Sequence, residues 1–328
     1  MKHLLQRILG SRKRNPNEPA SPDESKATVG DILACFRLLL GRPPNPEEWE
    51  GHSSRAGQEL EDIVKSFLQS QEFAARRLLA PTRFNDWQVA HVNGVEIVVY
   101  PEDIDIGRAV LAGHYEPHVS RLFEREIKSG MRVLDVGANC GFFTFLAARL
   151  VGVRGYVIAV EPNMSNLRLL EMGRRKNGFD HVELLPFAAA SRAGIAILHA
   201  SHTNGMTNAL SEVDEVMDST LVCQMPLDGV VEPVDFIKID VEGQELDALR
   251  GFSRGLKSRP KIVSEFSPNM LRNAVGEDYL RFLFDHGYQA GMIETDGLVP
   301  SFTRNPSILM KAFAESGVDH IDIFAVPT

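Results

Sequence analysis

The chain has 328 residues, of which 44% are hydrophobic and 24% charged, an ordinary composition for a protein with a packed core. This length is enough for one large α/β domain and something small beside it. The formal net charge of −9 argues against a dedicated nucleic-acid binder, because such binding depends on neutralising phosphates. The three cysteines, Cys35, Cys140 and Cys223, form no Cys-x-x-Cys pair. This excludes zinc-ribbon and thioredoxin-type sites and fits a reducing compartment.

The first 27 residues predict a disordered tail. Between about residues 12 and 25 they are rich in proline, asparagine, serine and charged residues. Their apolar stretch is too short and too interrupted for a signal peptide. No apolar run in the chain approaches the roughly 18 to 20 residues of a membrane span. We therefore expect a cytoplasmic protein without a membrane span.

Residues 28–80 predict a small helical domain. Thr28 can cap a first helix, with Asp31 three residues later as its capping-box partner. Asn45 and Pro46 mark the start of a second helix. A third helix is expected along the run ELEDIVKSFLQSQEFAARR, whose apolar residues recur at helical spacing. A segment of this size is too small to be stable without help.

This segment resembles a short bacterial helical domain of unknown function. The resemblance rests on FRLLLGRPPNPEEWEG and IVKSFLQSQEF, which are similar to the LLGR-x-PDPEG and S-x-EF strings of that domain. It implies no chemistry. Two interpretations stay open: a surface for a protein partner or for self-association, and a passive extension of the larger domain.

From Trp87 onward the pattern predicts a second domain, over residues 81–328. A hairpin is expected around Asn93 and Gly94. Strand-like runs (RVLDV, YVIAVE, VELLPFAA, FIKIDV, KIVSEF) then alternate with helical ones (FFTFLAARL, SNLRLLEMGRRKN, QELDALRGF). This alternation predicts a doubly wound α/β fold with a mostly parallel sheet covered on both faces. We expect a long hairpin-like loop before the last strand, HIDIFAVP, and a lid over the cleft from residues 191–224.

The run VLDVGANCGFF contains the first candidate site. In a doubly wound sheet the ligand binds beyond the carboxyl ends of the strands, near the first strand. A dinucleotide site needs a glycine where Asn139 stands, and its pyrophosphate would be repelled by Asp135. S-Adenosylmethionine carries an ammonium and a sulfonium and no phosphate, so an acid is favourable there. Gly137 would let the chain turn against this cofactor, and Gly141 would let the next helix pack closely.

Two further groups of charged residues follow. Glu161 ends the second strand-like run, where a carboxylate can accept hydrogen bonds from both ribose hydroxyls. Lys238, Asp240 and Glu242 alternate in FIKIDVEG, so they share one direction if the strand is extended. Because buried charges are costly unless paired, this cluster suggests either a site or a structural ion network.

With the loop after Asp135 and the charged run FIKIDVEG both identified, the sequence resembles the FkbM family of S-adenosylmethionine-dependent methyltransferases. The resemblance covers roughly residues 103–326 and rests on GHYEP, VLDVGANCGFFT, VIAVEPN, FIKIDVEGQELDALRG and VSEFSP. It implies a class I methyltransferase fold, usually of seven strands with the last antiparallel. It also implies methyl transfer, typically to an oxygen, often in pathways that make glycans or natural products.

The resemblance also implies roles for particular residues. Tyr115 and Glu116 are expected near the methionine end of S-adenosylmethionine, and Glu265 ends the strand after the second motif. The predicted cofactor-binding residues are Tyr115, Glu116, Asp135, Gly137, Asn139, Gly141, Glu161, Pro162 and Ala188. The predicted catalytic residues are Lys238, Asp240, Glu242 and His202. The expected acceptor is a small molecule or glycan that carries a hydroxyl.

Methyl transfer to a hydroxyl needs a base for the hydroxyl proton. Asp240 and Glu242 are the first candidates, and His199 and His202, on a loop, are the second. No metal is predicted, although Asp240 with Glu242 or Glu265 could instead hold Mg²⁺. Two rival functions stay open. A nicotinamide-dependent oxidoreductase is disfavoured because Asn139 stands where a dinucleotide site needs glycine. A catalytically silent partner-binding scaffold is disfavoured by the acids present in both VLDVGANCGFF and FIKIDVEG.

Overall fold

The computed structural model describes residues 25–40, 42–75, 87–103, 106–200, 205–208, 219–270 and 276–328. The chain divides into two compact units, residues 1–83 and 84–328. The predicted disordered tail lies almost wholly outside the described residues. The assignment of residues 28–80 to a separate domain of unknown function stays a prediction.

The N-terminal unit is helical in its described residues. Its helices are α1 (Val29–Cys35, continued by a π-helical turn at Phe36–Leu40), α2 (Pro46–Ser53), α3 (Leu60–Leu68) and α4 (Gln71–Ala75). Both predicted caps are present as reciprocal capping boxes, Thr28 with Asp31 at α1 and Asn45 with Glu48 at α2. These caps satisfy backbone N–H groups that a helix start otherwise leaves unpaired.

The prediction of one continuous third helix is wrong. The helix breaks between α3 and α4, where the Ser70 hydroxyl accepts a hydrogen bond from the Phe73 N–H and begins a new helix. Apolar side chains from α1, the π-helical turn and α3 form the core of this unit, and Ile32, Phe36 and Ile63 are fully buried in it.

The larger unit begins with the predicted hairpin. Strands β1 (Gln88–Val92) and β2 (Val95–Val99) pair antiparallel. The two residues between them, Asn93 and Gly94, have φ of 50° and 75°, as a type I′ turn requires. The alternation of apolar residues on either side of an Asn-Gly pair was therefore sufficient to place this turn.

A seven-stranded sheet forms the centre of the larger unit, in the order β12-β13-β11-β10-β3-β4-β5. Its strands are β3 (Arg132–Val136), β4 (Tyr156–Val160), β5 (Val182–Leu185), β10 (Phe236–Ile239), β11 (Lys261–Phe266), β12 (Tyr288–Met292) and β13 (Ile321–Pro327). Strand β13 runs antiparallel to both its neighbours, whereas the pairs from β11 to β5 are parallel. The predicted class I methyltransferase fold, with its antiparallel last strand, is confirmed.

Helices cover both faces of this sheet. They are α5 (Gly107–Leu111), α6 (Pro117–Glu126), α7 (Phe142–Val151), α8 (Met164–Asn177), α9 (Glu245–Arg250), α10 (Gly276–Asp285) and α11 (Pro306–Ser316). One core cluster joins the hairpin to α6, α7 and α8, and a second joins α9, α10 and α11. The strands are buried on both faces, as their continuous apolar runs predicted.

One of two predictions about connections is wrong, and the other, the lid, is not contradicted. The segment before the last strand contains α11, not a hairpin-like loop. The segment expected as a lid contributes to a four-stranded sheet of order β6-β9-β7-β8, whose strands are β6 (Ala188–Ala189), β7 (Gly194–Ala200), β8 (Gly205–Asn208) and β9 (Ser219–Met225). Small apolar side chains, among them Ala196, Leu198 and Val222, bury one face of this sheet and so give it a core of its own.

Within the described parts of the chain, no helix combines the length and the apolar character needed to cross a bilayer.

Candidate active site

A cavity of about 830 Å³ opens at the carboxyl ends of β3, β4, β10 and β11. All the predicted cofactor residues line it except Gly141. Of the predicted catalytic residues, Lys238, Asp240 and Glu242 also line it, whereas His202 lies outside the described residues. The structure thus brings together the two motifs that lie about a hundred residues apart in the sequence.

The turn after β3 is shaped by close backbone approach. Gly137 has a φ of 84°, and a Cβ atom added there would lie 1.8 Å from the carbonyl oxygen of Asp240. The N–H groups of Gly137 and Ala138 both donate to the carbonyl of Val160. Neighbouring strand ends therefore hold this loop against the cavity, and only glycine fits at its first position.

Gly141 does not line the cavity but allows α7 to pack closely. With a φ of 92°, it precedes α7, and an added Cβ would meet Leu170 and Phe145 at 2.6 and 2.7 Å. This matches the predicted reason for a glycine at that position, close packing of the helix. Its assignment to the cofactor-binding residues finds no support from the cavity lining.

Asp135 has a buried, unpaired carboxylate oxygen. The residue is 2% exposed, and its Oδ2 accepts a hydrogen bond of 2.6 Å from the Thr144 hydroxyl. No hydrogen-bond donor among the described residues reaches its Oδ1. Burial raises the pKa of Asp135, against the lowering effects of Lys238 and Thr144. An unpaired acceptor at such depth fits a ligand that supplies a cationic or N–H donor.

Glu161 organises two loops at the end of β4. Its Oε2 accepts from the Asn139 N–H at 2.9 Å, and its Oε1 accepts from the Asn163 N–H at 2.8 Å. Burial raises its pKa to about 7, although these hydrogen bonds act in the opposite direction. Since a carboxylate offers about four acceptor positions, Glu161 keeps capacity for a ribose hydroxyl while it holds the glycine loop.

Lys238 and Asp240 form a buried ion pair beside Asp135. The Lys238 Nζ lies 2.8 Å from the Asp240 Oδ2 and 4.9 Å from the centre of the Phe143 ring. Burial alone would lower the pKa of Lys238, but Asp240, Glu116 and Asp135 together raise it well above its usual value. The pair neutralises part of the negative charge of the cavity wall.

The shared direction predicted for three alternating charges holds for Lys238 and Asp240 but not for Glu242. Strand β10 ends at Ile239, and Glu242 lies in the following turn with a φ of 54°. Glu242 still lines the same cavity. The turn is held by Glu245, whose Oε1 accepts from the N–H groups of Val241 and Gly243.

Two more glutamates carry raised pKa values at the strand ends. Burial raises the pKa of Glu265 to about 9, with further contributions from Asp240, Glu242 and Glu245. Burial likewise raises the pKa of Glu116 to about 7, and the charges of Asp322 and Asp240 act in the same direction. Clusters of buried carboxyl groups with raised pKa values are typical of functional sites.

Some residues of the site were not foreseen. Thr144 and Phe143 lie on α7, next to the recognised loop, but no spacing rule connects them to Asp135 or Lys238. His118 and Asp322 pair at 2.7 Å across a large sequence distance. Glu245 could have been found, because an acid just after a glycine turn and at a helix start is a recognisable pattern. No three His, Cys, Asp or Glu of the described segments are placed to hold a metal ion together.

Known proteins resemble part of this chain. Residues 135–290 match the methyltransferase FkbM domain family. A 153-residue segment is 28% identical to hexuronic acid methyltransferase AglP of Haloferax volcanii, spanning 46% of this chain and 62% of that protein. A 61-residue segment is 39% identical to protein-L-isoaspartate O-methyltransferase 1 of Arabidopsis thaliana, spanning 19% of this chain and 26% of that protein. Each alignment thus spans less than two thirds of the relative's length.

Among solved structures, a SAM-dependent O-methyltransferase from Thermotoga maritima is 15% identical and covers 71% of this chain and 74% of its own, with a TM-score of 0.41. So low a TM-score adds nothing to the strand order seen directly. The family match over residues 135–290 agrees with the predicted FkbM-type methyltransferase domain. The resemblance of residues 28–80 to a domain of unknown function stays a prediction. The similarity to the methyltransferase FkbM domain family thus covers residues 135–290, a little under half of the chain.

Proposed function

We propose that this chain transfers a methyl group from S-adenosylmethionine to a hydroxyl of a sugar or glycan. The observation that carries the proposal is the unpaired Oδ1 of Asp135, which is buried in the cavity wall next to Lys238. A phosphate-bearing dinucleotide would bring a like charge to this oxygen, whereas the ammonium of S-adenosylmethionine would satisfy it. The residues present therefore fit this cofactor.

The predicted cofactor residues divide the task between binding and shape. Asp135 and Tyr115 would hold the methionine end, and Glu161 would accept from the ribose hydroxyls while it fixes the Asn139 N–H. The turn at Gly137 keeps the chain close to the ligand. The bound cofactor supplies a methyl group already activated by its sulfonium, so the protein mainly has to align acceptor and methyl and keep water out.

The acceptor's class is supported by one relative. Hexuronic acid methyltransferase AglP is a sugar methyltransferase by its name, and its alignment covers 46% of this chain. The cavity wall supplies several carboxyl groups that could take a hydroxyl proton, among them the predicted Asp240 and Glu242. A role of residues 28–80 in binding a protein partner or a second copy remains part of the proposal, as does a cytoplasmic location.

Calorimetry with S-adenosylhomocysteine and NADH tests the cofactor, and transfer of labelled methyl groups to a set of methyl hexosides tests the acceptor. The set should contain neutral, amino and uronic sugars, because the charged cavity wall should discriminate among them. We expect S-adenosylhomocysteine to bind and NADH not to bind. Tight NADH binding without any response to S-adenosylhomocysteine would favour the oxidoreductase alternative instead.

A further inference from the structure

Glu116 occupies an unusual position for a glutamate. It immediately precedes α6 at the N-cap position, yet its side chain makes no capping hydrogen bond. Its backbone is left-handed, with a φ of 38° and a ψ of 62°, a conformation that non-glycine residues rarely adopt. Such strain persists where the surrounding structure enforces it and often serves a site. The result here is that Glu116 lines the cavity instead of closing the helix end.

Glu116 and Asp240 differ in their hydrogen-bond and ion-pair partners. Asp240 is committed to the ion pair with Lys238 at 2.8 Å. Asp322, on β13, is committed to His118 at 2.7 Å. Glu116 has the Tyr115 hydroxyl as its hydrogen-bond partner, and it feels the attraction of Lys238 and the repulsion of Asp240 and Asp322. Of the three carboxylates, Glu116 is the one that makes no ion pair within the described residues.

On the basis of the methyl transfer proposed above, we propose that Glu116 is the catalytic base of this enzyme. Its carboxylate faces the transferred methyl group and takes the proton of the acceptor hydroxyl. This assignment goes beyond contact with the methionine end of the cofactor and replaces Asp240 as the first candidate for base. Asp240 then has a positioning role, because its ion pair fixes the Lys238 ammonium.

In the proposed step the acceptor hydroxyl loses its proton and gains the methyl group. The acceptor's O–H bond breaks and its proton goes to a carboxylate oxygen of Glu116. The acceptor oxygen forms a bond to the methyl carbon, and the bond from that carbon to sulfur breaks with its electron pair left on sulfur. One positive charge on sulfur and one negative charge on Glu116 disappear together, so that no net charge is created in the cavity.

The protonation behaviour of Glu116 agrees with this role. Its pKa is raised to about 7, mainly by burial; Lys238 and the Tyr115 hydroxyl act against this rise, and the charges of Asp322 and Asp240 contribute to it. His118, two residues along the chain, faces Asp322 and has a raised pKa because of that hydrogen bond. A base whose pKa lies near the working pH can both accept a proton and release it again.

A pair of cofactor analogues tests the proposal without the acceptor. Sinefungin has a protonated amine where the cofactor has its methylated sulfonium, whereas S-adenosylhomocysteine is neutral there. Both share the same methionine and ribose ends, so their affinity ratio isolates the position of the transferred methyl. If Glu116 faces that position, the wild-type chain should bind sinefungin about tenfold more tightly above pH 7, and the advantage should shrink as pH falls below 7.

In the variant Glu116→Gln this advantage and its pH dependence should disappear, with S-adenosylhomocysteine still bound. Glu116→Asp, which keeps the charge on a shorter side chain, should retain part of the ratio. Glu124→Gln, on the exposed side of the same helix, is the matched control and should keep all of it. An unchanged ratio in a folded Glu116→Gln variant would overturn the assignment of the base alone. Failure of the wild-type chain to bind either analogue would overturn the proposed function and this inference with it.

Discussion

Carboxyl groups serve opposite purposes in the two units of this molecule. In the helical unit, Arg42 makes hydrogen bonds of 2.7 to 2.8 Å through its terminal nitrogens to Glu48 and Glu72. The hydrogen bond from Arg42 holds the pKa of Glu48 down at about 2. At the cavity, burial raises the pKa of Glu116 and Glu161 to about 7. Glutamates are thus paired with an arginine in the helical unit, whereas at the cavity of the larger unit they are buried without a paired cation.

Paired carboxylates and buried, unpaired carboxylates have different effects on fold stability and on ligand binding. A carboxylate that is paired in the native state stabilises the fold, modestly when it is exposed. A carboxylate that is buried without a full set of partners costs stability and persists where a ligand completes its environment. The comparison therefore predicts that substitutions of unpaired cavity carboxylates change ligand affinity and ligand-free stability in opposite directions, and that substitutions in the helical unit change stability alone.

The largest expected effect comes from the backbone contact that builds the cavity. In Gly137→Ala the new Cβ would lie 1.8 Å from the Asp240 carbonyl oxygen, and the φ of 84° is unfavourable for alanine. We expect a loss of about 3 kcal/mol or more of unfolding free energy, together with cofactor binding. Urea denaturation and calorimetry with S-adenosylhomocysteine measure the two quantities.

Gly178→Ala provides the matched control for that substitution. Gly178 also has a left-handed backbone, with a φ of 64°, but an added Cβ there meets nothing within 4 Å. We expect a loss of about 1 kcal/mol and unchanged cofactor affinity. Equal losses in the two variants would show that backbone conformation, not the contact with Asp240, makes Gly137 necessary.

Asp135→Asn should give the clearest opposition between binding and stability. We expect S-adenosylhomocysteine affinity to fall by about 1 to 3 kcal/mol, since a charge-assisted hydrogen bond is lost. The ligand-free melting temperature should stay equal or rise, because a buried charge with an unpaired oxygen is removed. Calorimetry and thermal melting check the two parts.

Asp228→Asn is the contrasting variant for Asp135. Asp228 accepts hydrogen bonds from the N–H groups of Arg254 and Gly255 at 2.9 and 2.8 Å, which is a structural task. Its loss should lower the melting temperature and leave cofactor affinity unchanged. If both aspartate variants lose stability and affinity in parallel, the distinction between cavity and scaffold carboxylates fails.

The pH dependence of stability follows from the raised pKa values. Between about pH 4.5 and 7 the folded chain keeps protons on Glu161 and Glu245 that the unfolded chain has released, and Glu265 extends this window to about 9. Ligand-free stability should therefore be greatest at the acid end of this window and fall as pH rises. His118, whose pKa is also raised, contributes with the same sign.

Denaturation at a series of pH values measures this effect, and Glu265→Gln is expected to flatten the part between about pH 7 and 9. Glu48 and Glu171 act in the opposite direction, since their pKa values are lowered to about 2. Their stabilisation is present above about pH 4.5 and is lost only as pH falls toward 2. A stability that rises steadily from pH 5 to 8 would contradict the assigned direction.

The central sheet and the loop after β3 could be predicted because their sequence signals are local. An apolar strand, an acid, and two glycines at fixed spacing stand next to one another in VLDVGANCGFF. Helix α11 has a recognisable start in the sequence, Asn305 as N-cap followed by Pro306, so that a helix could have been predicted there. The four-stranded sheet was missed since its strands are apolar on both faces, with Ile195 and Leu221 exposed, and so show no alternation.

The chemistry of Glu116 could not be predicted in full. The family resemblance implied a position near the cofactor, but its neighbours Asp240, just after β10, and Asp322, on β13, lie far along the chain. Its left-handed backbone carries no sequence signal, because the residue is not a glycine. Charge environments of this kind arise from folding, and only the register of β10, β11 and β13 establishes them.

The smallest expected effect lies in the helical unit and tests the other half of the comparison. Arg42→Met removes the ion pairs with Glu48 and Glu72, whose side chains are 32% and 40% exposed. Exposed ion pairs contribute little and are screened by salt, so we expect a small loss of stability that vanishes near 1 M salt. Trp49 packs against the core of this unit, and its fluorescence in a Trp87→Phe background reports the unfolding of that unit.

Arg37→Met, at an exposed position in the π-helical turn Phe36–Leu40, controls for the loss of a positive charge and should leave that transition unchanged. S-Adenosylhomocysteine affinity should be the same in all these variants, because the affected carboxylates are paired for stability and take no part in binding. A fall in affinity on Arg42→Met alone would couple the two units. It would mean that the ion pairs of the helical unit support the cavity, and the division of carboxylates between stability and binding would no longer hold.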